Sequence, residues 1–198
     1  MTYTWHLTMS CFLVKDIISD CFLSVQGTGS ITGLYSLDDL FSLLNSVGKL
    51  EDATAVQDMI KEVFKEFPDS FLRKQLDAGI SELIEGKTKQ ALETFTDIVA
   101  TEPAYGEAWN KKATVHYMLG ERQAAIDASN KALEADPRNF QALAGIGLVE
   151  MDALNDTEAV NAFQKCLALN PWSMVAARLS ICISRRDRSS STAGNVDE

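Results

Sequence analysis

From Ser36 onward the chain places its apolar residues at helical spacing. Leu40, Phe41, Leu43 and Leu44 share one face of a helix that starts after Ser36 and ends near Gly48. Ser36 is a good N-cap, and Asp38 and Asp39 suit the positive end of the helix dipole. Val56, Met59, Ile60, Val63, Phe64 and Phe67 predict a second helix over 52–67, closed by Pro68. Near the far end, Val175, Leu179, Ile181, Cys182 and Ile183 predict a helix from Trp172 to Arg186.

Between these flanks the pattern repeats. Pro103, Pro137 and Pro171 stand 34 residues apart (137 − 103 and 171 − 137). Ala91, Ala125 and Ala159 keep the same phase, as do Ile98, Ala132 and Cys166, then Gly79, Ala113 and Gly147, then Phe95, Ser129 and Phe163. The small residues let two helices of a unit approach closely, where a larger side chain would push them apart. Each proline ends a second helix and starts the turn to the next unit. The loops inside the units read Glu85-Gly86-Lys87, Leu119-Gly120-Glu121 and Leu154-Asn155-Asp156, where Gly86, Gly120 and Asn155 are the residues that tolerate left-handed backbone.

These columns resemble the tetratricopeptide repeat, with its period of 34 and its W-x2-L-G-x2-Y…A-x3-F…P signature. One unit supplies Ala78, Gly79, Gly86, Ala91, Phe95 and Pro103; the next supplies Trp109, Ala113, Gly120, Ala125, Ala132 and Pro137; the third supplies Leu143, Ile146, Gly147, Ala159, Phe163 and Pro171. Two columns depart from the family. Glu82, His116 and Glu150 stand where an aromatic residue is usual late in the first helix, and Gln75 fills the first tryptophan column.

The resemblance implies an all-α fold, a right-handed superhelix of antiparallel helix pairs (an α-solenoid) with a capping C-terminal helix. The resemblance covers residues 72–171; with the flanks the chain divides into a poorly defined extension over 1–35, a degenerate helical pair over 36–68, three units over 72–105, 106–139 and 140–173, a cap over 172–187 and a disordered tail over 188–198. The resemblance also implies a scaffold that binds a partner peptide or helix in a concave groove lined by the first helices, or an accessory or assembly subunit of an enzyme or organelle complex. The groove positions carried over are Arg73, Leu76, Ile80 and Leu83, then Glu107, Asn110, Thr114 and Tyr117, then Gln141, Ala144, Leu148 and Met151. That lining is apolar at both ends and polar in the middle. The family's clamp for chaperone C-terminal tails needs Lys and Asn one turn apart in the first unit, where this chain has Leu76 and Ile80, so such a tail is not the expected partner.

Composition narrows the field further. The 198 residues are 46% hydrophobic and 23% charged, with a net charge of −10 and a pI near 4.7. An acidic repeat surface repels phosphate, which disfavours nucleic acid as a partner. No apolar run approaches a membrane span, and the N-terminus lacks the unbroken apolar stretch of a secretory signal and the arginines of a transit peptide, so a cytoplasmic location is expected.

Candidate chemistry is sparse. Cys11, Cys21, Cys166 and Cys182 form no C-x-x-C pair and have only His6 and His116 to join in a metal site; free thiols are the better reading. Gly27-Thr28-Gly29-Ser30-Ile31-Thr32-Gly33 looks like a phosphate loop but lacks a βαβ context. Asn155-Asp156-Thr157 is a glycosylation sequon in a tight turn that needs those residues anyway. His116 has no nucleophile and acid beside it in sequence, and Arg185-Arg186-Asp187-Arg188-Ser189-Ser190-Ser191 reads as a charged helix end more readily than as a kinase site. No enzyme activity, cofactor or metal is expected.

Overall fold

The structure is a computed structural model describing residues 35–67 and 69–193, with side chains to residue 188. The extension, with His6, Cys11, Cys21 and the glycine-rich segment, lies outside these residues, as do Pro68 and residues 194–198. The described residues form helices and turns, with no strand among them. The chain divides into two compact units, Met1–Glu66 and Phe67–Glu198.

In the first unit α1 (Leu37–Ser46) packs on α2 (Leu50–Lys65). Ser36 Oγ accepts the Asp39 amide at 3.2 Å, and Asp39 Oδ2 accepts the Ser36 amide at 3.0 Å, a reciprocal capping box. Hydrogen bonds from the Ser36 hydroxyl and amide hold the Asp39 carboxyl below its ordinary pKa. Leu40, Phe41 and Leu44 of α1 are buried, as are Ala53, Val56, Met59 and Ile60 of α2.

The second unit runs α3 (Ser70–Ile84), α4 (Thr88–Thr101), α5 (Gly106–Met118), α6 (Arg122–Ala135), α7 (Phe140–Asp152), α8 (Asp156–Leu169) and α9 (Val175–Ala193). The pairs α3/α4, α5/α6 and α7/α8 are hairpins, and α3 touches α5 as α5 touches α7. First helices therefore lie side by side and run the same way. Asp69 caps α3 by accepting the Phe71 amide at 2.8 Å, and Asn139 caps α7 by accepting the Ala142 amide at 3.0 Å.

The glycine column has a direct physical cause. A methyl on Gly79 would lie 2.6 Å from Phe95 Cε1, and one on Gly147 would lie 2.3 Å from Phe163 Cε1. Both rings are fully buried and fill the space a side chain on the first helix would need. The middle unit solves the same contact the other way: Ala113 stands where the glycines are, and Ser129 replaces the ring. The two columns exchange volume as a pair.

The turns correct one assignment. Gly86 and Gly120 do take left-handed backbone, each at φ 76°. The equivalent residue in the third unit is Leu154 (120 + 34), at φ 62°, and not Asn155. Asn155 is the N-cap of α8, and its side-chain amide donates to Glu150 Oε2 at 2.9 Å.

Leu72, Leu76, Phe95, Ile98, Tyr105 and Val115 belong to one buried cluster, with Ile80, Leu83 and Trp109 packed against it. Phe67 packs there too. Expected on the apolar face of a helix reaching residue 67, it follows the end of α2 at Lys65 and stacks on Tyr105, centroids 4.6 Å apart. The Trp109 indole Nε1 donates to the Pro103 carbonyl at 2.9 Å.

The last helix also differs from expectation. It starts at Val175 rather than Trp172 and runs to Ala193, through residues first assigned to a disordered tail. The chain offers no helix breaker before Gly194, so nothing local stops the helix near residue 187. Val175 and Cys182 are buried and α9 packs on α8, whereas Ile181 is exposed. No helix among the described residues is long and apolar enough to cross a membrane.

Candidate functional site

The twelve groove positions lie on α3, α5 and α7, and the structure separates them by access. Leu76 is 0% exposed and belongs to the core cluster, while Ile80 and Leu83 are partly buried against that cluster. Glu107 and Asn110 are also buried, at 2% and 6% exposure. Asn110 Nδ2 donates to Glu107 Oε2 at 3.0 Å, and Lys111 Nζ pairs with Glu107 Oε1 at 2.8 Å. A desolvated carboxylate needs such partners. Leu76, Glu107 and Asn110 are thus buried, where the sequence expectation placed them on an accessible groove. A repeat column fixes the side of the helix; it does not say what lies over that side.

Arg73, Thr114 and Tyr117 are exposed, and Gln141, Ala144, Leu148 and Met151 are partly exposed. On α7 the spacing of Ala144, Leu148 and Met151 puts them along one stripe. Tyr117 crosses from α5 to α7, its hydroxyl donating to Asp152 Oδ2 at 2.7 Å. That hydrogen bond, aided by burial, raises the Tyr117 pKa. Tyr105 is raised well beyond the ordinary phenol range by burial and by the nearby Glu107 carboxylate.

The column of Glu82, His116 and Glu150 turns out to make polar links. Glu82 Oε2 accepts the Thr94 hydroxyl at 2.9 Å, joining α3 to α4. His116 Nδ1 lies 2.6 Å from Glu121 Oε2, bridging the ends of the α5/α6 turn. Glu150 receives Arg122 from the preceding unit at 2.5 Å. One column, read as a loss of aromatic packing, supplies polar cross-links where first helices end. Arg185 of α9 makes a similar link to Asp156 at 2.5 Å and to the Met151 carbonyl at 3.2 Å.

Sequence reasoning missed a cavity of about 230 Å³ between the second and third turns. Tyr117, Gly120, Arg122, Val149, Asp152 and Ala153 line it.

Among the described residues no group of three or more His, Cys, Asp or Glu side chains is placed to hold a metal. Cys166 and Cys182 are buried free thiols, and Cys166 Sγ donates to the Phe140 carbonyl at 3.3 Å. Burial pushes both thiol pKa values up, away from reactivity. Lys112 lies 5.3 Å from the centre of the Trp109 ring, and burial lowers its pKa.

Comparison with known proteins agrees with this geometry. A family model for the tetratricopeptide repeat matches residues 76–139 and 112–172. A TPR repeat-containing protein of Rhizobium etli is 24% identical over 146 residues, covering 74% of this chain and 72% of that one. The human peptidyl-prolyl cis-trans isomerase FKBP4 is 31% identical over 159 residues, of which the match takes in 72% of this chain but 30% of the isomerase. Among solved structures, the TPR domain of Sgt2 from Aspergillus fumigatus superposes with a TM-score of 0.58 at 19% identity, covering 62% of this chain and 83% of that one. MamA superposes with a TM-score of 0.55 at 19% identity, covering 76% and 81%. The first TPR of Spaghetti, solved with an HSP90 peptide, does so at 0.54 and 19%, covering 63% and 96%. The 34-residue period, the parallel first helices and these matches make the chain a member of the tetratricopeptide repeat family.

Proposed function

We propose that the chain is a protein–protein interaction scaffold whose first helices receive a peptide or helix of a partner. The observation that carries this is the partly exposed stripe Ala144, Leu148 and Met151 on α7, beside the exposed Thr114 and Tyr117 of α5. An amphipathic segment with one or two apolar anchors, hydrogen-bonding to Thr114 and Gln141, fits such a surface. The Spaghetti domain was solved with the peptide SRMEEVD, but its likeness here concerns the fold. Leu76 and Ile80 offer no cation and pack on the core, which argues against capture of a terminal carboxylate in the first unit. The acidic balance argues against nucleic acid.

Affinity capture from the native cell, with mass spectrometry, compares the parent chain with Leu148→Glu and Met151→Glu. Loss of the same partner from both variants, with helical circular dichroism unchanged, is the expected result. Retention by both would overturn the groove assignment. Recovery of the chain in a stoichiometric complex would favour an accessory or assembly subunit over a transient scaffold.

A further inference from the structure

The last helix does more than close the stack. On α7 the strip turned toward α6 is marked by Gly145, where a methyl would face Ser129 Oγ at 3.7 Å, and by the buried Ala142 and Val149 on either side of it. The groove positions Ala144, Leu148 and Met151 run beside that strip. On α9 the strip turned toward α8 is Val175 and Cys182, both buried and seven residues apart, as Ala142 and Val149 are. Arg185, one turn beyond Cys182, faces the same way, its Nε donating to Asp156 Oδ1 of α8 at 2.9 Å. In the register that Ala144, Leu148 and Met151 hold on α7, α9 therefore presents Ala177, Ile181 and Ser184, 33 residues on (177 − 144, 181 − 148 and 184 − 151). All three are exposed, Ile181 at 48%. The 34-residue period points instead from Leu148 to Cys182, which is sealed.

Arg185 also donates to the Met151 carbonyl at 3.2 Å, so the late turns of α7 and α9 meet and their two stripes lie side by side. Arg178 stands two turns before Arg185 on the same side of α9 and is exposed. Its charge reaches the Tyr117 hydroxyl of α5: the hydrogen bond to Asp152 raises that phenol's pKa, and Arg178 opposes the rise. Arg178 thus overlooks the groove. The exposed charged side chains of α9 are Arg178, Arg186, Asp187 and Arg188 among the described residues, three cations to one anion on a chain of net charge −10. An acidic segment that most of this chain repels is drawn to that end, whereas two α9 faces repel each other. On the reading that the first helices receive a partner, we propose that α9 is a fourth wall of that groove and sets its charge preference. The partner is an acidic amphipathic segment, with an apolar side chain between Leu148 and Ile181 and a Glu or Asp against Arg178.

The probe is a phage-displayed library of amphipathic helical peptides, with one apolar stripe fixed and all other positions free to be acidic, basic or neutral. A length of about 15 residues, roughly 22 Å of helix, crosses two helices packed about 8–10 Å apart. The library is selected on the full chain, and enriched peptides are titrated against Ile181→Glu, Arg178→Glu and Leu148→Glu. Both α9 substitutions fall on exposed side chains, so circular dichroism and melting temperature should match the parent. Enrichment of Asp or Glu is expected, with affinity falling about tenfold or more in each of the three variants and falling in the parent as salt is added. No enrichment, enrichment of Lys or Arg, or parent-like affinity for Ile181→Glu or Arg178→Glu would overturn the proposal. If Leu148→Glu alone loses the peptides, the fourth wall is refuted while the groove on α5 and α7 stands. If only the α9 variants lose them, the groove reading fails and the fourth wall fails with it. A parent dimer that Ile181→Glu makes monomeric would also overturn it, because the occupant would then be a second copy.

Discussion

A methyl group added at Gly147 should destabilise the protein, and the same methyl should stabilise it once Phe163 is gone. In the parent the new Cβ would stand 2.3 Å from Phe163 Cε1 and 2.4 Å from Cδ1. Carbon contacts prefer about 3.5–4.0 Å, so ring or helix must move by more than ~1 Å. Phe163 is fully buried. Overpacking of this kind costs about 1–3 kcal/mol, and the severity of the clash points to the upper end. Replacing a helical glycine by alanine returns about 1 kcal/mol. The net for Gly147→Ala is thus a loss of about 2 kcal/mol, or a fall of roughly 4–8 °C in melting temperature for a chain of this size.

Phe163→Ser alone should cost about 3–5 kcal/mol through the cavity it leaves. In that background the Gly147→Ala methyl enters vacated space, gaining about 1 kcal/mol of helix propensity and up to ~0.8 kcal/mol of burial. The double variant then reproduces the Ala113 and Ser129 pairing of the middle unit. Urea unfolding followed by circular dichroism gives all four corners of the cycle, with an expected coupling of about 3–4 kcal/mol. If Gly147→Ala stabilises the parent, or if its effect has the same sign in both backgrounds, the exchange of volume between these columns is not what shapes the repeat.

Leu154→Gly should raise stability by about 1 kcal/mol by releasing left-handed strain, measurable as a higher urea midpoint. Arg185→Met should leave α3–α8 intact but raise amide exchange across α9, since Arg185 ties that helix to Asp156 and the Met151 carbonyl. Stability should also fall at alkaline pH. Cys166, Cys182, Tyr105 and Tyr117 all have folded-state pKa values raised above the ordinary 9.0 for thiol or 10.0 for phenol. The folded state holds these protons longer, so the contribution is complete below about pH 9 and is lost as the pH climbs through the raised values. Urea midpoints constant up to about pH 8.5 and falling above about pH 10 are expected, with a shallower fall in Tyr117→Phe. Cys166 and Cys182 should resist a thiol reagent at neutral pH until the chain is unfolded, because both are buried.

The sequence by itself determined the architecture of the second unit. Prolines, alanines and glycines in phase at 34 residues fix where helices end, which faces touch and how units follow one another, because each of those is a local or nearest-neighbour demand. The same columns determined which side of α3, α5 and α7 carries the positions proposed here for a groove. Only the tertiary structure decided which residues on that side remain within reach. Leu76, Glu107, Asn110 and Leu148 occupy corresponding sides of their helices, yet the first three are sealed by the core cluster or by one another, and Leu148 is partly open. Depth depends on neighbours brought from elsewhere in the chain, and periodicity carries no record of them. Likewise, Phe95 facing Gly79 and Ser129 facing Ala113 are separate letters in the sequence and become one packing decision only where the helices meet. Leu154 was present in the sequence all along, but its left-handed backbone and its exposure exist only once the turn is folded.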